Sequence, residues 1–123
     1  MQSTIYKFTF LLISIILFNT GSHAQVSTTD TMMVYGNCNM CKKTIEGSLK
    51  EKDGIIAKNW NKDTKMLTVT YDASKINKEQ IGQKIADAGY DNQYATATEK
   101  AYKKLHSCCK YDRPKQPAGG ENK

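Results

Sequence analysis

Two close pairs of cysteines are the residues in this sequence whose type and spacing could do chemistry. Cys38 and Cys41 are separated by two residues, whereas Cys108 and Cys109 are adjacent and follow His106. Thiolates select soft metal ions, while hard ions prefer oxygen ligands. The CxxC spacing of the first pair also suits a thiol–disulfide redox pair, half of a zinc site, or a structural disulfide.

The surroundings of the first pair argue against two familiar uses of CxxC. A c-type haem needs a histidine directly after the second cysteine, where Lys42 stands. A thioredoxin-like oxidoreductase needs a cis-proline facing the CxxC, and the prolines of this chain, Pro114 and Pro117, lie near its carboxyl terminus. Soft-metal binding is favoured, with a dithiol–disulfide redox protein and a structural disulfide as the alternatives.

The second pair needs a partner from elsewhere in the molecule. A disulfide between adjacent cysteines strains the peptide that joins them. Cys108 and Cys109 should therefore meet a metal, the first pair, or another chain. We expect an auxiliary metal site there, with His106 as a weaker candidate ligand, provided that the tail packs back along the domain. The alternatives are disulfide formation for the cysteines and a solvated side chain for His106.

The amino-terminal residues 1–24 have the pattern of a secretory signal peptide. Lys7 precedes the apolar core FTFLLISIILF, and Ser22 and Ala24 are small residues at the cleavage-determining positions. The apolar core is well short of the roughly 20 residues of a membrane-spanning helix. We expect cleavage after Ala24 and a periplasmic or secreted mature protein.

The positive charge is concentrated in the tail. Residues 25–98 contain 10 lysines and 9 acidic residues, whereas residues 99–123 contain 7 basic and 3 acidic residues. The sequence lacks the arginine cluster with interleaved aromatic residues that is typical of nucleic-acid binding, so this function is not expected. Contact of the basic tail with an anionic membrane surface stays open. With no Ser/His/Asp arrangement, phosphate loop or paired carboxylates, we do not expect an enzyme.

The elements that must position the cysteines follow the order β-α-β-β-α-β. A β-prone segment at 31–35 ends at Gly36, and a helix is predicted over 40–52, with Gly54 just past its end. Residues four apart share one face of that helix: Cys41, Ile45 and Leu49. Trp60 is expected in the core.

Two strands and a second helix complete the pattern. Strands are predicted at 55–60 and 66–71, joined at hairpin length. Asn77 and Gln80 have the capping-box spacing, so a helix should begin there and stop at Gly89. A weaker strand is expected at 93–97. The fold class is therefore α+β, a ferredoxin-like sandwich with a four-stranded antiparallel sheet and two helices on one face. A short helix is expected over 99–105.

The segment VYGNCNMCK, with Ile45 and Glu46 after it and Ala-Gly-Tyr-Asp at 88–91, resembles the heavy-metal-associated domain family. That family includes copper chaperones, modules of copper-pumping ATPases and the periplasmic mercury-binding protein. The resemblance covers residues 31–98, so residues 25–30 are expected to form a spacer and residues 99–123 a basic, cysteine-containing and partly disordered tail.

The resemblance implies that Cys38 and Cys41 bind a soft cation, Cu(I) above all, with Hg(II) or Zn(II) as other candidates. It also implies a metal donor or acceptor protein, such as a transporter or cuproprotein, as partner, and places Tyr90 near the metal loop. The sequence departs from the family in one place: Gly36-Asn37-Cys38 is one residue shorter than the usual Gly-Met-x-Cys and lacks its methionine. A reshaped loop is expected.

Overall fold

A computed structural model of the protein describes residues 25–115. The expected signal peptide at residues 1–24 lies outside the described residues, as do residues 116–123 at the end of the tail. Among the helices of residues 25–115, none combines the length and the apolar character that crossing a bilayer requires.

The sheet has three antiparallel strands in the order β1-β3-β2: β1 at Ser27–Met33, β2 at Ile55–Trp60 and β3 at Met66–Asp72. The central strand β3 alternates, because Leu67, Val69 and Tyr71 are buried while Thr68 is exposed. Successive side chains of a strand point to opposite faces. One face of the sheet therefore carries the core.

Strand β1 begins at Ser27 rather than Thr31, so most of the expected spacer at residues 25–30 is part of the sheet. The pairing runs from Ser27 opposite Asp72 to Met33 opposite Met66. Two side-chain contacts explain why these polar residues form a strand. The Thr29 and Thr70 hydroxyls lie 2.8 Å apart, and Tyr71 donates its hydroxyl to Asp30 at 2.6 Å. Such cross-strand pairs stabilise a sheet.

The predicted fourth strand at 93–97 is wrong for the described residues. Pairing beyond β1 is limited to a single antiparallel bridge between Val34 and Asn92 and its flanking hydrogen bonds. The cause is Asn92, whose side-chain oxygen accepts from the backbone N–H groups of Tyr94 and Ala95 at 3.0 and 3.1 Å. This local turn bends the chain away from the sheet edge.

Helix α1 spans Asn39–Gly47 and is shorter than the predicted helix over 40–52. The Ser48 hydroxyl donates to the Ile45 carbonyl at 2.7 Å, a local bond that competes with helix continuation. A 3-10 turn at Glu51–Asp53 then leads to Gly54, which has φ of 99° as expected for a residue past a helix end.

Helix α2 spans Lys78–Asp87, and its predicted capping box between Asn77 and Gln80 is confirmed. Gly89 follows with φ of 105°. Both helices contribute to the single core, which also includes Trp60 as predicted; the helix residues in it are Cys41, Ile45, Ile81 and Ile85. The helices therefore pack on the buried face of the sheet, as a ferredoxin-like fold requires.

The tail is folded against this domain up to residue 115. Helix α3 spans Glu99–Lys103, with Thr98 as its N-cap, and a 3-10 turn at Ser107–Cys109 follows. Helix α3 passes directly over Gly89. A Cβ atom there would lie 2.9 Å from both the Ala101 carbonyl oxygen and Leu105, so only glycine permits this approach.

Candidate metal centre

The first cysteine pair lies where the chain leaves the sheet and enters helix α1. Cys38 is the N-cap residue, with extended backbone angles of −143° and 175°. Cys41 lies in the first turn of the helix and is fully buried, whereas Cys38 is half-buried. The backbone N–H of Asn37 donates to the Cys41 sulfur at 3.4 Å. The two cysteines therefore differ in access to solvent.

Trp60 packs directly against the shortened loop. Its indole N–H donates to the Val34 carbonyl at 3.0 Å, and a Cβ atom on Gly36 would lie 2.9 Å from the indole ring. The same added atom would lie 3.3 Å from the Cys41 Cβ. Gly36 is thus required by close packing, and the large side chain of Trp60 supports the loop that lacks the usual methionine.

The Cys38 and Cys41 sulfurs are 3.4 Å apart and both cysteines are free thiols. A disulfide bond would place them about 2.05 Å apart. Interaction with the backbone N–H of Cys41, at the helix amino terminus, is the main cause that lowers the pKa of the Cys38 thiol to about 7. Cys38 is therefore substantially a thiolate near neutral pH, the form that binds metals.

The second cysteine pair lies beside the first. The Cys109 sulfur is 3.8 Å from the Cys38 sulfur and 3.9 Å from that of Cys108. The sulfurs of Cys38, Cys108 and Cys109 all lie within 4.8 Å of one another. Cys109 is buried while Cys108 is exposed. Burial, followed by the neighbouring Cys41 thiol, raises the pKa of Cys109 to about 12.

Two further candidates lie at the margin of this cluster. His106 is exposed and outside the three-cysteine group; it lines a neighbouring cleft of about 380 Å³ with Cys109 and Tyr90. Met40, between the two cysteines of the first pair, is 44% exposed, and its sulfur lies 3.8 Å from that of Cys108.

Tyr90 is fully buried next to the thiols, and within residues 25–115 its hydroxyl has no hydrogen-bond partner. Burial, and then the adjacent Cys109 thiol, raises its pKa far above the usual range. The hydroxyl is therefore a neutral group at physiological pH. Its ring stacks on that of Tyr111, with 5.9 Å between centroids.

Tyr111 anchors the tail over the Gly89 turn. Its hydroxyl accepts from the Asp91 backbone N–H at 2.7 Å and donates to the Gly89 carbonyl at 3.0 Å. Its own carbonyl accepts from the Tyr102 hydroxyl at 2.7 Å. The two bonds of the Tyr111 hydroxyl are buried and the third is partly buried, so together they hold the tail in one register and place the preceding cysteines.

Arg113 supplies the second anchor. It donates to both carboxylate oxygens of Asp91, at 2.7 and 2.8 Å, and to the Ala97 carbonyl at 2.6 Å. It also pairs with Glu99. Burial disfavours the Asp91 carboxylate, but the Arg113 guanidinium and the Ala97 backbone N–H together outweigh this and lower the pKa of Asp91.

Sequence reasoning missed both anchors. Asn37 was missed as well; its side-chain amide donates to the Lys110 carbonyl at 3.1 Å and ties the tail to the metal loop. One signal was available, because Arg113 is the only arginine in a chain rich in lysine. Arginine is the residue that grips a carboxylate with two parallel hydrogen bonds.

Comparison with known proteins agrees with this geometry. Residues 37–91 match the model of the heavy-metal-associated domain. The copper chaperone CopZ of Bacillus subtilis (strain 168) is 37% identical over 62 residues, which cover 50% of this chain and 90% of that protein.

Two solved structures share the fold. A CopZ metallochaperone has a TM-score of 0.50 at 32% identity, with 53% of this chain and 98% of that chain covered. Oxidized MerP from Ralstonia metallidurans CH34 has a TM-score of 0.52 at 26% identity, with 55% and 96% covered. The resemblance noted in the sequence is thereby confirmed, and the chain belongs to the heavy-metal-associated domain family.

Proposed function

We propose that this protein binds a soft metal ion, Cu(I) above all, through the thiolates of Cys38 and Cys41 and hands it on or sequesters it. The observation that carries the proposal is the pair of free thiols 3.4 Å apart at the amino end of α1. Soft ions prefer thiolate ligands, which favours Cu(I) over the hard ions; Hg(II) and Zn(II) fit the same donor type. The similarity to proteins named as copper chaperones supports Cu(I).

Transfer would proceed by exchange of thiolates. Cys38 is half-buried, so a thiol of a donor or acceptor protein can reach an ion held there, whereas Cys41 is buried. A transporter or a cuproprotein is the class of partner proposed. No step requires a reaction on an organic substrate, so the protein would act as a carrier rather than an enzyme.

The protein would act outside the cytoplasm, in the periplasm or as a secreted protein. This proposal rests on the signal-peptide pattern of residues 1–24. The amino-terminal sequence of the protein recovered from its own compartment tests it. Export with cleavage predicts a chain that begins at Gln25, and a chain that still begins at Met1 would contradict it.

A competition titration tests the metal site. The reduced chain from Gln25 onward is titrated with Cu(I) against a chromophoric chelator, beside the variant Cys38→Ser plus Cys41→Ser. We expect the double variant to lose binding at this loop. The matched control is Asn39→Ser, an exposed position between the cysteines, whose affinity should equal that of the wild type. Equal affinity of the double variant would refute the proposal.

The same preparations separate metal binding from redox activity. If the CxxC cycles between dithiol and disulfide, the metal-free protein should turn over in a disulfide-reduction assay, with loss of turnover in the double variant. The carrier proposal predicts no turnover above the double variant.

A further inference from the structure

The tail cysteines meet the Cys38 sulfur in an arrangement that a two-cysteine loop does not explain. We propose that Cys38, Cys108 and Cys109 form a three-thiolate site for one soft ion such as Cu(I), with Cys38 shared between this site and the CxxC pair. The inference rests on the proposed soft-metal function. It adds a set of three ligands that all come from this chain, with none supplied by a partner.

The distances between the sulfurs fit a common ion. A metal–sulfur bond of about 2.3 Å places ligand sulfurs about 3.8 Å apart in tetrahedral geometry and about 4.0 Å apart in a trigonal plane. The Cys109 sulfur lies 3.8 Å from that of Cys38 and 3.9 Å from that of Cys108. The third pair of sulfurs, Cys38 and Cys108, is also within 4.8 Å. Small side-chain adjustments therefore bring all three onto one ion.

The protein holds these thiols in place without a metal. The backbone N–H of Cys109 donates to the His106 carbonyl at 2.8 Å, which closes the turn that carries both cysteines. On the carboxyl-terminal side of this turn, the Asn37 side-chain amide donates to the Lys110 carbonyl at 3.1 Å, and Tyr111 is buried in the core. The turn is thus closed by its own hydrogen bond and held on its carboxyl-terminal side, so binding an ion requires little further ordering.

The shared cysteine defines how an ion would move between the two sites. The Cys38–metal bond persists while the bond to Cys41 breaks and bonds to Cys108 and Cys109 form. The two incoming thiols release their protons to water and the freed Cys41 thiolate takes one up, so no electron is transferred. The third thiolate occupies the coordination position that a partner's thiol would need. The tail therefore retains the ion against transfer.

The test uses Cys41→Ala, which removes one CxxC ligand and leaves the three-thiolate set intact. Its Cu(I) affinity is compared with that of Cys41→Ala plus Cys108→Ser plus Cys109→Ser by competition titration. We expect the single variant to bind at least roughly 10-fold more tightly, since loss of even an outer partner of a metal ligand costs 10- to 100-fold. Equal affinities would overturn the inference while leaving the proposed function to its own test, the Cys38 and Cys41 double variant.

A spectroscopic measurement that leaves Cys41 in place does not depend on the folding of a variant at that buried position. X-ray absorption of the wild-type chain with one equivalent of Cu(I) should give three sulfur ligands, and two in the variant Cys108→Ser plus Cys109→Ser. Two sulfur ligands in both proteins would overturn the inference. The Ser107→Ala variant, at an exposed position in the same turn, is the matched control and should keep three.

Discussion

Arg113 donates from Nε and Nη2 to the two carboxylate oxygens of Asp91, at 2.7 and 2.8 Å, and so joins the tail to the turn that follows α2. Asp91 is 3% exposed on its side chain and Arg113 is 19% exposed. A charge this buried needs its partner. The pair is therefore a buried polar link between the domain and the segment that carries the second cysteine pair.

Replacing Arg113 by alanine should release the tail. The variant leaves the buried Asp91 carboxylate without its cation, and hydrogen bonds to charged groups contribute about 1.5 to 3 kcal/mol. We expect urea unfolding of the reduced, metal-free variant to show a loss of about 2 kcal/mol. Lys115→Ala, an exposed residue of the same tail, is the control. Unfolding midpoints that coincide for the two variants would contradict this role of Arg113.

The same ion pair predicts how stability depends on pH. The pKa of Asp91 is lowered in the folded state, so its contribution is present above the unfolded value of about 3.9 and is lost as the pH falls below it. We expect the free energy of unfolding to fall more steeply below about pH 4 in the wild type than in Arg113→Ala. Parallel curves for the two proteins in that acid range would show that the pair does not contribute.

The Tyr111 hydroxyl should matter separately from its ring. Tyr111→Phe keeps the stacking on Tyr90 but leaves the Asp91 N–H and the Gly89 carbonyl without their partner. An unsatisfied buried polar group costs about 1 to 3 kcal/mol, so we expect a loss in that range in urea unfolding. Tyr94→Phe, outside this tyrosine cluster, serves as the comparison. A stability loss no larger than that of Tyr94→Phe would argue that the hydroxyl is not an anchor.

Two glycines of the α1 region provide a matched test of the loop packing. Gly36→Ala forces a Cβ atom to within 2.9 Å of the Trp60 ring, and overpacking of this kind costs about 1 to 3 kcal/mol. Gly47→Ala adds the same atom in α1 with nothing within 4 Å. Thermal unfolding should show destabilisation for the first and a small gain for the second, since alanine favours a helix by about 1 kcal/mol. Equal melting temperatures would contradict the packing of Trp60 against the loop.

Much of the fold could be predicted from the sequence because its signals are local. The alternation of Leu67 and Val69, the capping box at Asn77 and the glycines at 54 and 89 each fix one element through short-range physics. The start of β1 and the expected fourth strand were predicted wrongly, because side-chain hydrogen bonds there override the local sequence signal. Thr29 pairs across strands although its neighbours are polar, and Asn92 turns the chain where a strand was expected.

Only part of the candidate site could be predicted from the sequence, because only part of it depends on local signals. The spacing of Cys38 and Cys41 alone indicates a site. The position of Cys109 depends instead on Tyr111 and Arg113, whose partners lie about twenty residues away along the chain. Long-range contacts of this kind have no sequence period. The sequence allows a tail that returns to the loop, and the structure shows the hydrogen bonds that hold it there.

Four single variants, each with one cysteine replaced by alanine, test the shared role of Cys38 most directly when their Cu(I) affinities are measured by competition. Cys38 belongs to both the CxxC pair and the three-cysteine group. We therefore expect Cys38→Ala to weaken binding most of the four, whereas variants of Cys41, Cys108 or Cys109 each retain part of the affinity. Wild-type affinity in Cys38→Ala would contradict this shared role.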